Sequence, residues 1–296
     1  MKFSVIIPVF NSEKFIERCL ESLQAQTYGD WEAICVDDGS TDSSAEMLDR
    51  ISAQDNRIKV MHTANEGVSV ARKVAMREVE GDYVTYLDSD DFLHPQTFEI
   101  CNKIIKEENP DIIAYTYDRK YRRNELIKNM VHLPGSRKKK YSKYDVNNLE
   151  YKVTDDIYRY ATEYSRPNLP NEDRKWAVKH CQPWRCMYRK DLVARLKFIR
   201  GIIYEDMPWW GEVLLNVKKA VILNLPLYFY YPNPWGHILS ADQSYRIKSL
   251  EKAIAASEDF YGRLGNDYQK EKWNQNFLIP FKKKLQSKQT DFGSGK

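Results

Sequence analysis

Four short apolar runs, each halted by a polar turn and each of the first three leading into helical spacing, constrain this chain more than any other feature. They are residues 3–10 (Phe-Ser-Val-Ile-Ile-Pro-Val-Phe), residues 31–36, residues 58–62 and residues 83–87. Their β-branched and aromatic content marks strands of a sheet covered on both faces. Pro8 has no N–H to give a ladder and is expected to end the first strand. Between the runs, Asn11-Ser12 offers a helix cap ahead of Ile16, Leu20 and Leu23, and Ser43 with Glu46 offers a capping box. After the turn Asn65-Glu66-Gly67, residues Val68, Ala71 and Ala75 share one helix face. Strand and helix alternate throughout, which predicts an α/β fold, a doubly wound parallel sheet with right-handed crossovers.

Two of these strands end in carboxylates. Asp37-Asp38-Gly39-Ser40 follows the second, with Gly39 permitting a tight turn, and Asp88-Ser89-Asp90-Asp91 follows the fourth. Open α/β sheets bind ligands at the carboxyl ends of their strands. Two aspartates one residue apart on a chain leaving a strand can point into one crevice, where a hard divalent cation finds oxygen ligands and a diphosphate finds the cation. A solvated acidic turn is the plainer alternative. The first strand is followed by neither Gly-x-Gly-x-x-Gly nor Gly-x-x-x-x-Gly-Lys, which disfavours dinucleotide-binding folds and P-loop enzymes.

Charge is divided along the chain. Residues 1–115 hold 11 Lys and Arg against 22 Asp and Glu, whereas residues 116–296 hold 35 against 20. The acidic part suits a metal-holding site; the basic part suits an anionic partner or simple solubility. The five cysteines are irregularly spaced and read as reduced thiols, with no paired spacing for zinc. No apolar stretch approaches the roughly 20 residues of a membrane span. The N-terminus runs straight into a strand and is too short for a signal peptide. A cytoplasmic protein is therefore expected.

Further along, residues 95–100 read as a helix and residues 111–115 as a strand. Residues 117–144 turn basic, with Arg137-Lys138-Lys139-Lys140 at their densest, and read as a surface loop or hairpin. That segment is either solvated or touches an anionic acceptor or lipid headgroups. Residues 145–180 mix charges with Tyr151, Tyr158, Tyr160, Tyr164 and Trp176, and residues 166–170 read as a turn. Such aromatics suit sugar rings and ordinary cores equally. The acidic pair Glu205-Asp206 then leads through Pro208 into a helix, where it either favours the helix N-terminus or serves catalysis. Residues 221–231 read as a strand pair, and residues 243–288 as helical. Trp273, Phe277, Leu278, Ile279 and Phe281 beside Lys282-Lys283-Lys284 could lie on an anionic membrane or pack on the domain. Residues 289–296 are expected to be disordered.

Four pieces occur in order: Val5-Ile6-Ile7-Pro8-Val9-Phe10-Asn11, Val36-Asp37-Asp38-Gly39-Ser40-Thr41-Asp42, Asn65-Glu66-Gly67 with Ala71-Arg72, and Leu87-Asp88-Ser89-Asp90-Asp91. Together they closely resemble the inverting family-2 glycosyltransferases of the GT-A fold, densely over the first 115 residues and thinly beyond. The resemblance implies a Rossmann-like mixed sheet flanked by helices, with a helical C-terminal extension. It implies a nucleotide-sugar-binding half (1–115), an acceptor-side half with a basic insertion (116–240) and the extension with its tail (241–296).

By the same resemblance, Asp38 would bind the uracil edge of a UDP-sugar and Pro8, Val9 and Phe10 would lie along the uridine. Arg72 would help hold the nucleotide. Asp88-Ser89-Asp90 would be the Asp-x-Asp motif, with Asp90 the more direct ligand of Mn²⁺ or Mg²⁺ and Asp88 and Ser89 against the donor. Asp206 would be the general base and Glu205 a supporting group. Trp209 or Trp210 could line the acceptor pocket or be core. His237 could complete the metal shell or touch the diphosphate. Lys73, Ala75 and Pro232 stand where the family often carries other residues.

The reaction implied is transfer of a sugar, hexose or N-acetylhexosamine, to a bacterial cell-surface glycan or lipid-linked saccharide such as a lipopolysaccharide precursor. It would take place in the cytoplasm or peripherally at the inner face of the membrane. Two other readings compete: a glycosyltransferase-like scaffold or lectin, which would lack Asp88, Asp90 or Asp206, and a sugar nucleotidyltransferase, which would carry a basic Gly-rich loop in place of residues 8–11. No nucleic-acid-binding motif accompanies the basic half.

Overall fold

The computed structural model describes residues 1–118, 143–162, 177–179, 182–231, 233, 242–264 and 266–293. The dense basic run at 137–140, the turn at 166–170, Tyr164, Trp176, Pro232 and His237 lie outside the described residues.

The chain begins β1 (Phe3–Val9), α1 (Ile16–Gln24), β2 (Trp31–Asp37), α2 (Ser44–Ser52), β3 (Ile58–His62), α3 (Val68–Arg77) and β4 (Tyr83–Tyr86). It continues through β5 (Phe92–Leu93), α4 (Thr97–Glu108), β6 (Ile112–Asp118), β7 (Tyr151–Thr154), β8 (Ala161–Thr162), β9 (Val178–Lys179) and β10 (Cys186–Arg189). Then come α5 (Lys190–Val193), α6 (Asp206–Asn216), β11 (Ala220–Phe229), α7 (Gln243–Gly262), α8 (Asp267–Trp273) and α9 (Ile279–Gly293).

Among the described residues, nine strands form one sheet in the order β3-β2-β1-β4-β10-β6-β11-β5, with β7 on β11. The first four are mutually parallel as expected, β10 is antiparallel to both β4 and β6, and β6 and β11 are again parallel. Every residue of β2 is buried and β1 exposes only part of Pro8, because helices cover both faces of the central strands. Full burial of side chains such as Ile6, Ile34 and Phe98 contributes roughly 1.5–3 kcal/mol each. Glu32 is a buried carboxylate in β2. It accepts from Ser4 Oγ at 2.5 Å and the Glu80 amide at 2.7 Å, and pairs with Lys2 and Lys59 at 3.1 and 3.0 Å.

Local expectations fail where tertiary context supplies a different partner. Pro8 lies inside β1, paired with Val36. Ile6 turns its peptide toward β4, its carbonyl accepting from Leu87, and Pro8 faces the same way beyond the end of β4, so no ladder bond is lost. Neither proposed cap forms: α1 and α2 have no side-chain cap bond. Ser12 Oγ is drawn to Phe10 O and Ser89 Oγ, and Asp42 takes the Ser44 amide instead. The expected strand pair at 221–231 is one strand, β11, whose register slips around Pro226. The segment at 289–293, expected to be disordered, continues α9.

The C-terminal helices pack on α6. Trp273, Phe277, Leu278 and Phe281 are buried and so follow the packed reading, whereas Ile279 between them is 39% exposed. Lys282 pairs with Glu258 at 2.6 Å. Among the described residues, no helix is long and apolar enough to cross a membrane.

Candidate active site

The sheet gathers the carboxyl ends of β1, β2 and β4, the turn before α3 and the start of α6 around one crevice. Asn11, at φ 48°, ties the first two together: its amide donates to Ser40 Oγ and its side-chain oxygen accepts from the Thr41 amide at 2.8 Å. Phe10 beside it is 44% exposed, the large apolar side chain at the rim of the crevice. Pro8 and Val9 lie beneath it in β1.

Asp38 is buried, and its carboxylate accepts from Thr63 Oγ1 at 3.1 Å and from the amides of Glu66 and Gly67 at 2.9 and 2.7 Å. Three donors therefore pin the turn before α3 onto the end of β2. Gly39 makes this approach feasible: its φ is 74°, and a Cβ there would lie 2.9 Å from the Asn65 nitrogen.

At the end of β4 the three aspartates separate into different environments. Asp91 is fully buried and accepts from Tyr228 OH at 2.5 Å and the Tyr231 amide at 2.6 Å, fastening the acidic loop to the end of β11. Burial, then the neighbouring Asp90 and Asp88, push its pKa well above the usual carboxylate range. Asp90 is pushed up to about 6 by burial and by repulsion from Asp88. Its carbonyl accepts from Arg18, whose guanidinium stacks over Tyr231 at 4.4 Å and Phe92 at 5.0 Å. Ser89 Oγ meets Ser12 Oγ at 2.6 Å, so the hydroxyl is held by the segment leading into α1.

Arg72 makes the central connection. It is buried on the inner face of α3, with one guanidinium nitrogen 2.6 Å from Glu205 and another 3.4 Å from Asp88. Phe198 lies 4.8 Å beneath the guanidinium. Burial opposes its charge, but Glu205 and Asp88 overcome this and raise its pKa further. Burial raises the pKa of Asp88, with Arg72 acting against it. The Asp88 side chain is left 32% open beside the Arg72 pair. One cation thus joins the acidic motif after β4 to the acidic pair 117 residues later. Asp206 is the first residue of α6, partly exposed, next to Glu205.

Trp209 stacks on Phe198 at 4.7 Å and meets Tyr86 and Tyr188 edge-on, and Trp210 is 1% exposed; both are core residues. Among the described residues no cluster of three or more His, Cys, Asp or Glu could close around a metal by itself. Asp88 and Asp90 nevertheless offer hard oxygens in a place where their negative charge is unfavourable, which fits a divalent cation sharing its remaining positions with phosphate oxygens.

Sequence reasoning named Arg72 but missed its bridging role, and it missed Arg18 and the anchoring of Asp91. A signal existed for the first: Arg72 stands beside Ala71 on the apolar face of its helix, where a charge needs a partner.

A family model described as Glycosyl transferase family 2 matches residues 4–196. The glycosyltransferase GlyA of Streptococcus pneumoniae is 31% identical over 260 residues, which is 84% of this chain but 34% of GlyA. The chain therefore spans about a third of that relative. Among solved structures, Staphylococcus aureus TarS 1–349 in complex with UDP-GlcNAc superimposes with TM-score 0.67 at 22% identity, covering 95% of this chain and 72% of that one. The mannosyltransferase PcManGT of Pyrobaculum calidifontis, in complex with GDP-Man and Mn2+, does so with TM-score 0.59 at 14% identity, covering 99% and 75%. These likenesses establish the GT-A fold. On the family match and the GlyA relationship together, this chain belongs to glycosyltransferase family 2.

Proposed function

We propose that the chain transfers a sugar from a UDP-sugar to a hydroxyl of a glycan or lipid-linked saccharide, with inversion at the anomeric carbon. The observation that carries this reading is the Arg72 bridge, which brings the donor-side aspartates and the Glu205-Asp206 pair to one crevice. The TarS structure that fits this chain was solved with UDP-GlcNAc, which favours uridine over the guanosine of the mannosyltransferase neighbour.

In this reading Phe10 offers its exposed face to the base. Asp38 keeps acceptor capacity toward a base N–H while it holds the turn before α3. Asp206 takes the proton of the acceptor hydroxyl as its oxygen attacks the anomeric carbon, and the bond to the nucleotide breaks with its electron pair leaving on the diphosphate. Asp88 and Asp90 would hold Mn²⁺ or Mg²⁺. The ion would supply positive charge to the leaving diphosphate. Arg72 pairs with both Asp88 and Glu205 and fixes how they are oriented. The acceptor side would be shaped by the second half of the chain.

The test is titration calorimetry of UDP, GDP and CDP, each with and without Mn²⁺. UDP binding that requires the metal supports the reading. Tight binding of another nucleotide would overturn the Asp38–uracil assignment, and the absence of any nucleotide binding would favour a scaffold.

A further inference from the structure

The turn that delivers Asp206 is gripped by the C-terminal helices. Tyr204 has φ 72°, a left-handed conformation that a bulky aromatic residue seldom adopts, and Glu205 and Asp206 follow it directly. Its ring meets Phe281 of α9 edge-on at 6.5 Å, and the Lys284 ammonium, one turn further along α9, sits 4.3 Å from the ring centroid. Arg246 of α7 and Asp206 also act on the half-buried Tyr204 side chain, whose pKa burial raises.

A second grip lies on α6 itself. A Cβ at Gly211 would fall 2.8 Å from Trp273 and 2.9 Å from Phe260, so the absent side chain lets these rings seat against the helix. Trp273 is fully buried there, stacked on Phe277 at 4.5 Å. The start of α6 is thus fixed from the strained turn and its middle from the glycine notch. Both contacts come from residues beyond the stretch matched by the family model.

We infer that the C-terminal helical layer is part of the catalytic apparatus, with Tyr204, clamped by Phe281 and Lys284, acting as a positioning residue that aims Asp206 at the acceptor. The inference rests on the reading of Asp206 as general base. A purely structural contact would leave the reaction alone, and glycine at 204 would relieve the backbone. A positioning contact gives the opposite result for turnover, because a small misplacement of a reacting group is costly.

The experiment compares Tyr204→Gly, Tyr204→Phe, Lys284→Met and Asp206→Asn in the full chain. It measures UDP release from the best donor in a panel of UDP-hexoses and UDP-N-acetylhexosamines, together with UDP affinity in Mn²⁺ and thermal midpoint. Tyr204→Gly should lower kcat by roughly tenfold to a hundredfold, with donor KM and UDP affinity within about twofold and an unchanged or higher thermal midpoint. Tyr204→Phe, which keeps the ring, should recover most of that loss. Lys284→Met should lower kcat in the same direction by a smaller factor. Wild-type kcat in Tyr204→Gly alongside an inactive Asp206→Asn would overturn the clamp alone. Wild-type kcat in Asp206→Asn would overturn the base assignment and the clamp with it. Should Tyr204→Gly fail to fold, Lys284→Met decides: a kcat equal to that of the wild type overturns the inference.

Discussion

Replacing Arg72 by methionine removes the guanidinium while keeping an apolar stem over Phe198. In the native protein that guanidinium lies 2.6 Å from Glu205 and 3.4 Å from Asp88. A unit-charge pair at such separations is worth about 5–6 kcal/mol at an effective dielectric near 20, and there are two pairs. Against this stands the cost of burying the cation, which the variant escapes. Removing one partner of a buried ion cluster leaves the remaining charges uncompensated, and the net loss is about 3–5 kcal/mol. That is a large share of the roughly 5–15 kcal/mol that holds a domain folded.

The loss depends on pH in a direction fixed by the carboxylates. Asp88, already raised by burial, goes up further without its cation. A carboxyl group whose folded pKa lies above its unfolded value is penalised at high pH and released as it takes up a proton, so the deficit should narrow between pH 7 and pH 5. Urea titrations of wild type, Arg72→Met and Arg72→Lys, followed by tryptophan fluorescence at both pH values, measure it. Arg72→Lys should lie between the other two, since an ammonium cannot reach both carboxylates as a planar fork does. A deficit below about 1 kcal/mol at pH 7, or one that grows on acidification, would refute the reasoning.

Three further outcomes are expected. Asp90→Ala should abolish turnover and most Mn²⁺-dependent UDP binding in calorimetry, and full activity would remove Asp90 from the metal site. Asp206→Asn should leave UDP affinity nearly intact while kcat falls by roughly a hundredfold or more; a collapse of donor binding would place Asp206 in the nucleotide site instead. Glu32 is held down to about 2 from 4.5, its hydrogen bonds to Ser4 and the Glu80 amide and its pairs with Lys59 and Lys2 outweighing burial. With its folded pKa depressed, the stability it contributes is complete above pH 4.5 and lost as pH falls toward 2. Glu32→Gln should therefore cost roughly 2–3 kcal/mol at pH 6, the lower figure allowing for its partly solvated lysine partners, and the two urea midpoints should converge near pH 2.

The features legible in the sequence are those that depend on short-range pattern. The runs ending at Val36 and Leu87 announced buried strands, and the aspartates after them marked where those strands stop, because strand periodicity and the polarity of a strand end are local properties. Pro8 misled because its effect depends on where a strand 80 residues away stops. Ser12 misled because Ser89 engages its hydroxyl, and Ser43 because Asp42 takes the Ser44 amide at the start of α2. Arg72 was legible as a residue and not as a link, since nothing in its neighbourhood in the chain points to Glu205. The two tryptophans after Asp206 were ambiguous for the same reason: only the packing of Phe198, Tyr86 and Tyr188 makes Trp209 a core residue.

The place of β10 in the sheet has a consequence for how the protein comes to be. It lies antiparallel between β4 and β6, bonded to both, although residues 186–189 follow β6 by nearly 70 positions. During synthesis, β4 and β6 both emerge well before the strand that separates them. Until residue 189 is available, each has an open edge able to pair wrongly, with the other or with a neighbouring chain. Closure then waits on a contact of long sequence separation, the kind that slows folding most. A fragment ending near residue 118 holds most of the donor-side carboxylates yet leaves β4 unpaired on one side, so it should aggregate where the whole chain stays dispersed.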